Sequence, residues 1–191
     1  MSNINSNLED IITHIDASLN VKCTMQDNIT LILHSTPQNI YDHILFLRND
    51  KKCKFQILID IFTVDYPHRE ARFDVIYSLL SIIHNIRICC KVPLHENENI
   101  TSITNIFNAA GWFEREVFDM YGILFSNNPD LRRILTDYGF SGHPMLKDFP
   151  LSGYKEVRYD ISKKEVKYEP VNLQQNFRSF DFLSPWKEHK T

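Results

Sequence analysis

The sequence holds little of what cofactor and metal chemistry ordinarily requires. Its four cysteines, Cys23, Cys53, Cys89 and Cys90, include no Cys-x-x-Cys pair, whereas an iron–sulfur cluster needs four converging thiolates. Reduced thiols in a cytosol-like compartment account for them. Only 5 glycines are present, and they form neither a Walker loop nor a Gly-x-Gly-x-x-Gly turn for phosphates. The eight histidines are scattered, so no cofactor or metal is expected from the residues. No apolar run approaches the roughly 20 residues that span a bilayer. The longest candidate, Val75 to Ile83, is interrupted by Ser78 and Ser81. A charged-then-apolar leader is missing, and no arginine precedes Arg48, so an Arg-rich transit peptide is absent too. The expectation is a chain that is bacterial and unexported, or made inside the organelle that uses it. A formal net charge of -3 offers no footprint for nucleic acid or an anionic membrane.

What is present suits a globular domain with a real core. The chain has 191 residues, 43% hydrophobic and 24% charged, enough to bury roughly 70% of the unfolded surface. Leu8, Ile11, Ile12, Ile15 and Leu19 trace one face of an N-terminal helix. Val21–Met25 and Ile29–Leu33 read as a hairpin turning at Gln26-Asp27-Asn28. Thr36-Pro37 opens a second helix with Ile40, Ile44 and Leu47 on its apolar face. Phe55–Asp65 reads as a strand, with Phe55, Ile57, Ile59 and Ile61 alternating; Arg72–Ser81 and Ile86–Val92 are two more. Ile103, Ile106, Phe107 and Ala110 predict a short helix. These elements predict an α+β fold, a two-layer domain with helices packed on a mixed or antiparallel sheet. The domain is expected over 1–160. Residues 161–191 complete a small hairpin (Val157–Tyr159 with Val166–Tyr168) and an extended C-terminal arm, where Phe177, Phe180, Phe182 and Trp186 follow no regular period. Such an arm either packs on its own domain or inserts its rings into a neighbouring subunit.

The stretch Gly111–Asp160 contains all 5 glycines and interleaves charge with aromatics. Glu114, Arg115, Glu116 and Asp119 alternate with Trp112, Phe113, Phe118, Met120 and Tyr121. On a helix Trp112, Glu116 and Asp119 share one side with Arg115 beside them, and Gly122 stands where that helix should stop. Asn128-Pro129 predicts a further helical turn carrying Asp130, Arg132 and Arg133, with Asn128 as its cap. Three readings follow. The charges form an internal ion network; or aromatics and arginines anchor a partner protein; or Glu116, Asp119 and His143 form the acid–base site of a free-standing hydrolase. An arginine neighbour keeps the carboxylates ionised, which weighs against the third. The residues do not separate the first two.

The run Glu114-Arg115-Glu116-Val117-Phe118-Asp119-Met120-Tyr121-Gly122 resembles the signature of the C-type subunit of the proton-pumping NADH:quinone oxidoreductase, respiratory complex I; the similar mitochondrial protein is its 30 kDa subunit. Pro129-Asp130-Leu131-Arg132-Arg133 through Phe140, Gly142-His143-Pro144 and Lys147-Asp148-Phe149-Pro150-Leu151 fit the same family in order. Weaker similarity reaches Val64–Pro67 and Arg72–Val75 upstream, and Phe180-Asp181 and Pro185-Trp186 downstream. Asn128 stands where the family usually has histidine, and Leu146 where it usually has arginine, which removes a positive charge.

The resemblance implies a peripheral-arm subunit without cofactor or catalytic residue of its own. It would serve an enzyme that passes electrons from NADH through flavin and iron–sulfur centres to quinone, coupled to proton translocation. Implied partners are other complex I subunits, chiefly the quinone-site subunit of the D or 49 kDa type, with iron–sulfur subunits nearby. Membrane contact would come only through the complex, on the cytoplasmic side of a bacterial inner membrane or the matrix side in an organelle. Glu114, Arg115, Glu116, Asp119, Gly122, Pro129, Asp130, Arg132, Arg133, Lys147, Asp148, Phe180 and Trp186 are the implied signature and interface residues. A related membrane-bound hydrogenase or formate-oxidising complex is the alternative that the same similarity allows.

Overall fold

The computed structural model describes residues 2–27, 30–175, 177 and 178, with the backbone alone at 2–7. The expected turn residue Asn28, the strand start Ile29 and the arm residues Phe180, Asp181, Phe182, Pro185 and Trp186 lie outside the described residues. The chain divides into two compact units, Met1–Phe149 and Pro150–Thr191.

The first unit is an α+β layer pair. Helices α1 (Ser2–Leu19) and α2 (Ile40–Asn49) carry the stripes read from the sequence, with Leu8, Ile11, Ile15, Ile40, Ile44 and Leu47 buried. A mixed sheet has the order β1-β2-β5-β4-β3, made of Cys23–Met25, Thr30–His34, Ile57–Asp65 (β3), Phe73–Ser81 (β4) and Ile86–Leu94 (β5). All neighbours are antiparallel except β2 and β5, which run parallel. Alternate residues of β4 and β5, among them Val75, Tyr77, Leu79, Ile88, Cys90 and Val92, join the helix stripes in one core cluster. Tyr77 is fully buried, and its hydroxyl finds no partner among the described residues.

The edge strand β3 departs from the simple alternation. A bulge between Leu58 and Asp60 shifts its register against β4, so the inward residues are Leu58, Ile61, Thr63 and Asp65, while Ile57 and Ile59 point to water. One extra residue in a strand reverses which side chains face the core. The predicted face of Phe55, Ile57, Ile59 and Ile61 is therefore split. The predicted helix at Ile103–Ala110 is a pair of tight turns instead, closed by Ile106 and Phe107 N–H bonds to the Ile103 carbonyl at 2.9 Å each. Beyond them runs α3 (Ala110–Tyr121). Its two flanks, β6 (Ile100–Thr101) and β7 (Phe125–Ser126), pair in parallel, which fixes where the helix begins and ends.

The second unit contains the predicted hairpin, β8 (Lys155–Asp160) against β9 (Glu165–Pro170). Val157 opposes Tyr168 and Tyr159 opposes Val166, so these four share one face. Each is more than half exposed. The other face is charged, with Arg158 donating two hydrogen bonds to Glu169 at 2.7 and 2.9 Å.

Candidate functional site

The signature helix α3 turns two carboxylates into the domain. Glu114 and Asp119 are wholly buried, although the helical face drawn from the sequence joins Asp119 to Trp112 and Glu116 and leaves Glu114 out. Glu114 accepts from the backbone N–H of Ile103 at 2.8 Å and from Asn128 Nδ2 at 2.7 Å. Burial is the larger influence and raises its pKa, with the bonds from Ile103, Ser102 and Asn128 pulling the other way. Every donor that lowers it is neutral, so this carboxyl is held without an ion pair among the described residues.

Asp119 is held differently. Its Oδ2 accepts the backbone N–H groups of Ile134, Leu135 and Thr136 at 3.0, 2.7 and 2.9 Å. Its Oδ1 accepts from Arg133 Nη1 at 2.8 Å and from the Thr136 hydroxyl. Burial pushes its pKa up, but the Thr136, Leu135 and Arg133 donors outweigh burial and hold the carboxyl far below the usual range. Arg133 also donates to the Gly142 carbonyl at 3.0 Å. One buried carboxylate thus ties α3 to two loops.

This explains why no helical turn follows Asn128-Pro129. The N–H groups of 134–136 go to a carboxylate, not to carbonyls four residues back, and residues 128–133 are irregular. Asn128 is not a helix cap. Its Oδ1 accepts the Asp130 N–H at 2.8 Å while its Nδ2 serves Glu114.

Gly122 ends α3 as expected, at φ 81°, with its N–H bonded to the Phe118 carbonyl at 2.9 Å. A Cβ there would lie 2.8 Å from the His143 ring. His143 Nδ1 donates to the Asp119 carbonyl at 3.0 Å, and the Met145 N–H reaches the Met120 carbonyl at 3.1 Å. The glycine therefore both reverses the backbone and makes room for the histidine that seals the helix end. His143, Tyr121, Gly122, Phe73, His95 and Leu146 line part of a hollow of about 270 Å³.

A second ion hub joins distant signature blocks. Arg72 donates to both oxygens of buried Asp65 at 2.8 and 3.0 Å, to Glu96 at 2.7 Å and to Asp148 at 2.9 Å. The Lys147 N–H adds a bond to Asp65 at 2.8 Å. The Arg72 bonds, ahead of the opposing effect of burial, hold Asp65 below the usual carboxylate range. Each block is visible in the sequence, yet their separation of up to 82 positions hides the pairing. Leu146, in place of the family's arginine, packs against the rim of the core.

The remaining signature residues face outward. Glu116 is exposed, and Pro129 and Asp130 lie at the surface. Arg132 pairs with Asp130 at 2.6 and 2.8 Å, both exposed. Arg115 donates to the carbonyls of Arg132 and Arg133 at 2.9 and 3.2 Å and lies 5.2 Å from the Trp112 ring. Trp112 is 65% exposed and Tyr138 99% exposed, with Leu135 also exposed nearby in sequence. Phe180 and Trp186 lie outside the described residues. The expected single face of Trp112, Glu116 and Asp119 is thus divided, for only Asp119 enters the ion network. No acid–base constellation results, because Asp119 is saturated with donors, Glu116 points away, and His143 meets a carbonyl oxygen.

Among the described residues no helix is long and apolar enough to cross a membrane. Residues 33–155 match the family model described as respiratory-chain NADH dehydrogenase, 30 Kd subunit. The C-type subunit of NADH-quinone oxidoreductase from Wolbachia sp. subsp. Brugia malayi is 65% identical over 162 residues, 85% of this chain and 85% of that one. Its counterpart from Ruegeria pomeroyi is 50% identical over 183 residues, 94% of this chain and 91% of that one. Among solved structures, a trypsin-resistant fragment of Nqo5 aligns with a TM-score of 0.56 at 25% identity, covering 65% of this chain and 99% of the fragment. A chain of the membrane-bound sulfane sulfur reductase, an archaeal respiratory membrane complex, shares the fold with a TM-score of 0.67 at 21% identity, covering 75% of this chain and 85% of that one. With a buried carboxylate knot built from the signature and these matches along most of its length, the chain belongs to the 30 kDa, or C-type, subunit family of NADH-quinone oxidoreductase.

Proposed function

We propose that this complex I subunit is a cofactor-free docking element of the peripheral arm, and that the outward half of its signature is the docking surface. The observation that carries this is the division of labour inside one motif. Glu114, Asp119, Gly122 and Arg133 are consumed by internal bonds, whereas Trp112, Leu135 and Tyr138 stay exposed beside Arg115 and Arg132. Trp, Tyr and Arg are the residue types that dominate interface energetics. The partner chemistry that fits is another subunit of the enzyme, chiefly the one that helps form the quinone site. The apolar hairpin face of Val157, Tyr159, Val166 and Tyr168 supports a second contact, extended by the aromatic residues of 171–191. Electron transfer and proton translocation belong to the assembly, on the cytoplasmic or matrix side of its membrane. Identity to the C-type relatives over 85% or more of the chain sets this reading ahead of a related hydrogenase or formate-oxidising complex.

The test is co-purification from membranes. Wild-type chain should bring down a flavin- and iron–sulfur-containing assembly, while the purified chain alone should neither bind flavin nor oxidise NADH. Changing Trp112 and Tyr138 together to alanine should leave the free chain's stability within about 0.5 kcal/mol, as for surface substitutions, yet lower its incorporation and membrane NADH:quinone activity in parallel. Full incorporation of that variant would refute the docking surface.

A further inference from the structure

Asp50 is the C-cap of α2. It leaves the helix at φ -63° and ψ 138° with its N–H still bonded to the Phe46 carbonyl. Its side chain folds back over the next turn, where Oδ1 accepts the N–H groups of Lys52 at 2.8 Å and Cys53 at 3.1 Å. Lys54 closes that turn at φ 48°, and the Phe55 N–H returns to the Leu47 carbonyl at 3.0 Å. Backbone geometry therefore fixes Asp50 and Cys53. From the other helix, α1 brings His14, whose Nε2 lies 3.1 Å from the same Oδ1, with the ring tilted against Phe46 at 5.9 Å. One donor atom from each of the three residues lies within 4.8 Å of the other two, and no other such group exists among the described residues.

We propose that His14, Asp50 and Cys53 form a binding site for a zinc-type divalent cation, which staples α1 to the end of α2. Two protons otherwise do the joining: one between the imidazole and the carboxylate, and one between the Cys53 thiol and the same carboxylate. An ion at the centre takes the place of both. Zinc binds nitrogen, oxygen and sulfur at about 2.0–2.3 Å, so a modest side-chain adjustment from the present spacing closes the site. Imidazole with thiolate selects zinc or cobalt over magnesium and calcium, which prefer oxygen. One thiolate and one carboxylate cancel the charge of the ion, so the loaded site is neutral and tolerates partial burial.

The site is reachable from solvent. His14 and Asp50 keep 24% and 20% of their side-chain surface, while Cys53 is fully buried behind them. A hollow of about 760 Å³, lined in part by His14, Asp10, Lys51 and His84, opens on the imidazole. His84 Nε2 is itself buried without a hydrogen-bond partner among the described residues. Three protein ligands leave a fourth position for water or another donor. Burial, followed by the charge of Asp50, pushes the Cys53 thiol up to about 12. Without an ion it therefore stays protonated and unreactive, and the ion must displace that proton.

The full chain, stripped with a chelator, should be titrated with Co²⁺ and then Zn²⁺. One equivalent of cobalt should bind with a near-ultraviolet thiolate-to-cobalt band, and zinc should displace it and raise Tm. Cys53→Ser should abolish the band and weaken zinc binding at least about 100-fold, since even a supporting residue is worth 10–100-fold. His14→Gln, at a partly exposed position, should weaken zinc binding by at least tenfold while retaining the band, and it decides the matter if the serine variant does not fold. Cys89→Ser should match wild type. Absence of a thiolate band in the wild-type chain, or zinc affinity indifferent to His14→Gln, would overturn the site.

Discussion

Replacing Asp119 by asparagine tests the central claim that one carboxylate organises the signature. Asparagine preserves volume and one acceptor oxygen. If that oxygen stays with the three backbone N–H groups of 134–136, the new amide points its own hydrogens at Arg133, and the guanidinium loses its counter-ion. Breaking a buried pair costs about 3–5 kcal/mol. Arg133 keeps 27% of its side-chain surface, so water recovers part of that and the lower end, about 3 kcal/mol, is expected at pH 7. The pH dependence has a definite sign. Asp119 has a folded pKa far below its unfolded value, so its stabilisation is present above about pH 4 and is lost as pH falls toward the folded pKa. Each unit below the unfolded pKa of about 3.9 removes about 1.4 kcal/mol. The difference between wild type and Asp119→Asn should therefore shrink by about 2.6 kcal/mol between pH 5 and pH 2. Urea unfolding followed by tryptophan fluorescence reads both quantities. Equal midpoints at pH 7, or a gap that does not narrow in acid, would refute the reasoning.

Gly122→Ala should destabilise the chain by about 2 kcal/mol or more, because the left-handed backbone costs roughly 1–2 kcal/mol for a residue with Cβ and the methyl meets the His143 ring. Adding His143→Ala should recover the clash but not the backbone strain, a non-additivity that a double-mutant cycle measures. Tyr77→Phe should raise stability by about 1 kcal/mol, since it removes a buried hydroxyl with no partner among the described residues; a lower Tm would show that the hydroxyl is satisfied.

Local pattern was readable where burial followed a simple period. The stripe Leu8-Ile11-Ile15 marked α1, the apolar runs Arg72–Ser81 and Ile86–Val92 marked β4 and β5, and the segments Val157–Tyr159 and Val166–Tyr168 marked the hairpin. Gly122 was legible because a helix end needs a residue tolerant of positive φ. The bulge at Ile59 was not, since an apolar residue on either side of it satisfies the same pattern. The loop after Asn128 was misread because its N–H groups are claimed by a side chain 15 to 17 positions earlier. Local propensity contains no record of that competitor. The Arg72 hub and the His14–Asp50–Cys53 cluster share this difficulty, for each is assembled from elements that meet only after folding. The buried Glu114 needed knowledge that Ile103 and Asn128 flank α3, which only the parallel pairing of β6 with β7 supplies.

The hairpin carries a consequence for the life of the unassembled chain. A ribbon two strands wide offers the half-exposed ladder of Val157, Tyr159, Val166 and Tyr168 and, among the described residues, one backbone edge on each strand without a further strand beside it. Isolated ribbons of this size are marginal in water, and open edges invite pairing with any other extended chain. On the proposed docking, a copy made in excess of its partners displays this apolar, open-edged ribbon to proteases and chaperones, and assembly covers it. Under that proposal the fold itself polices stoichiometry, with the surplus removed before it aggregates.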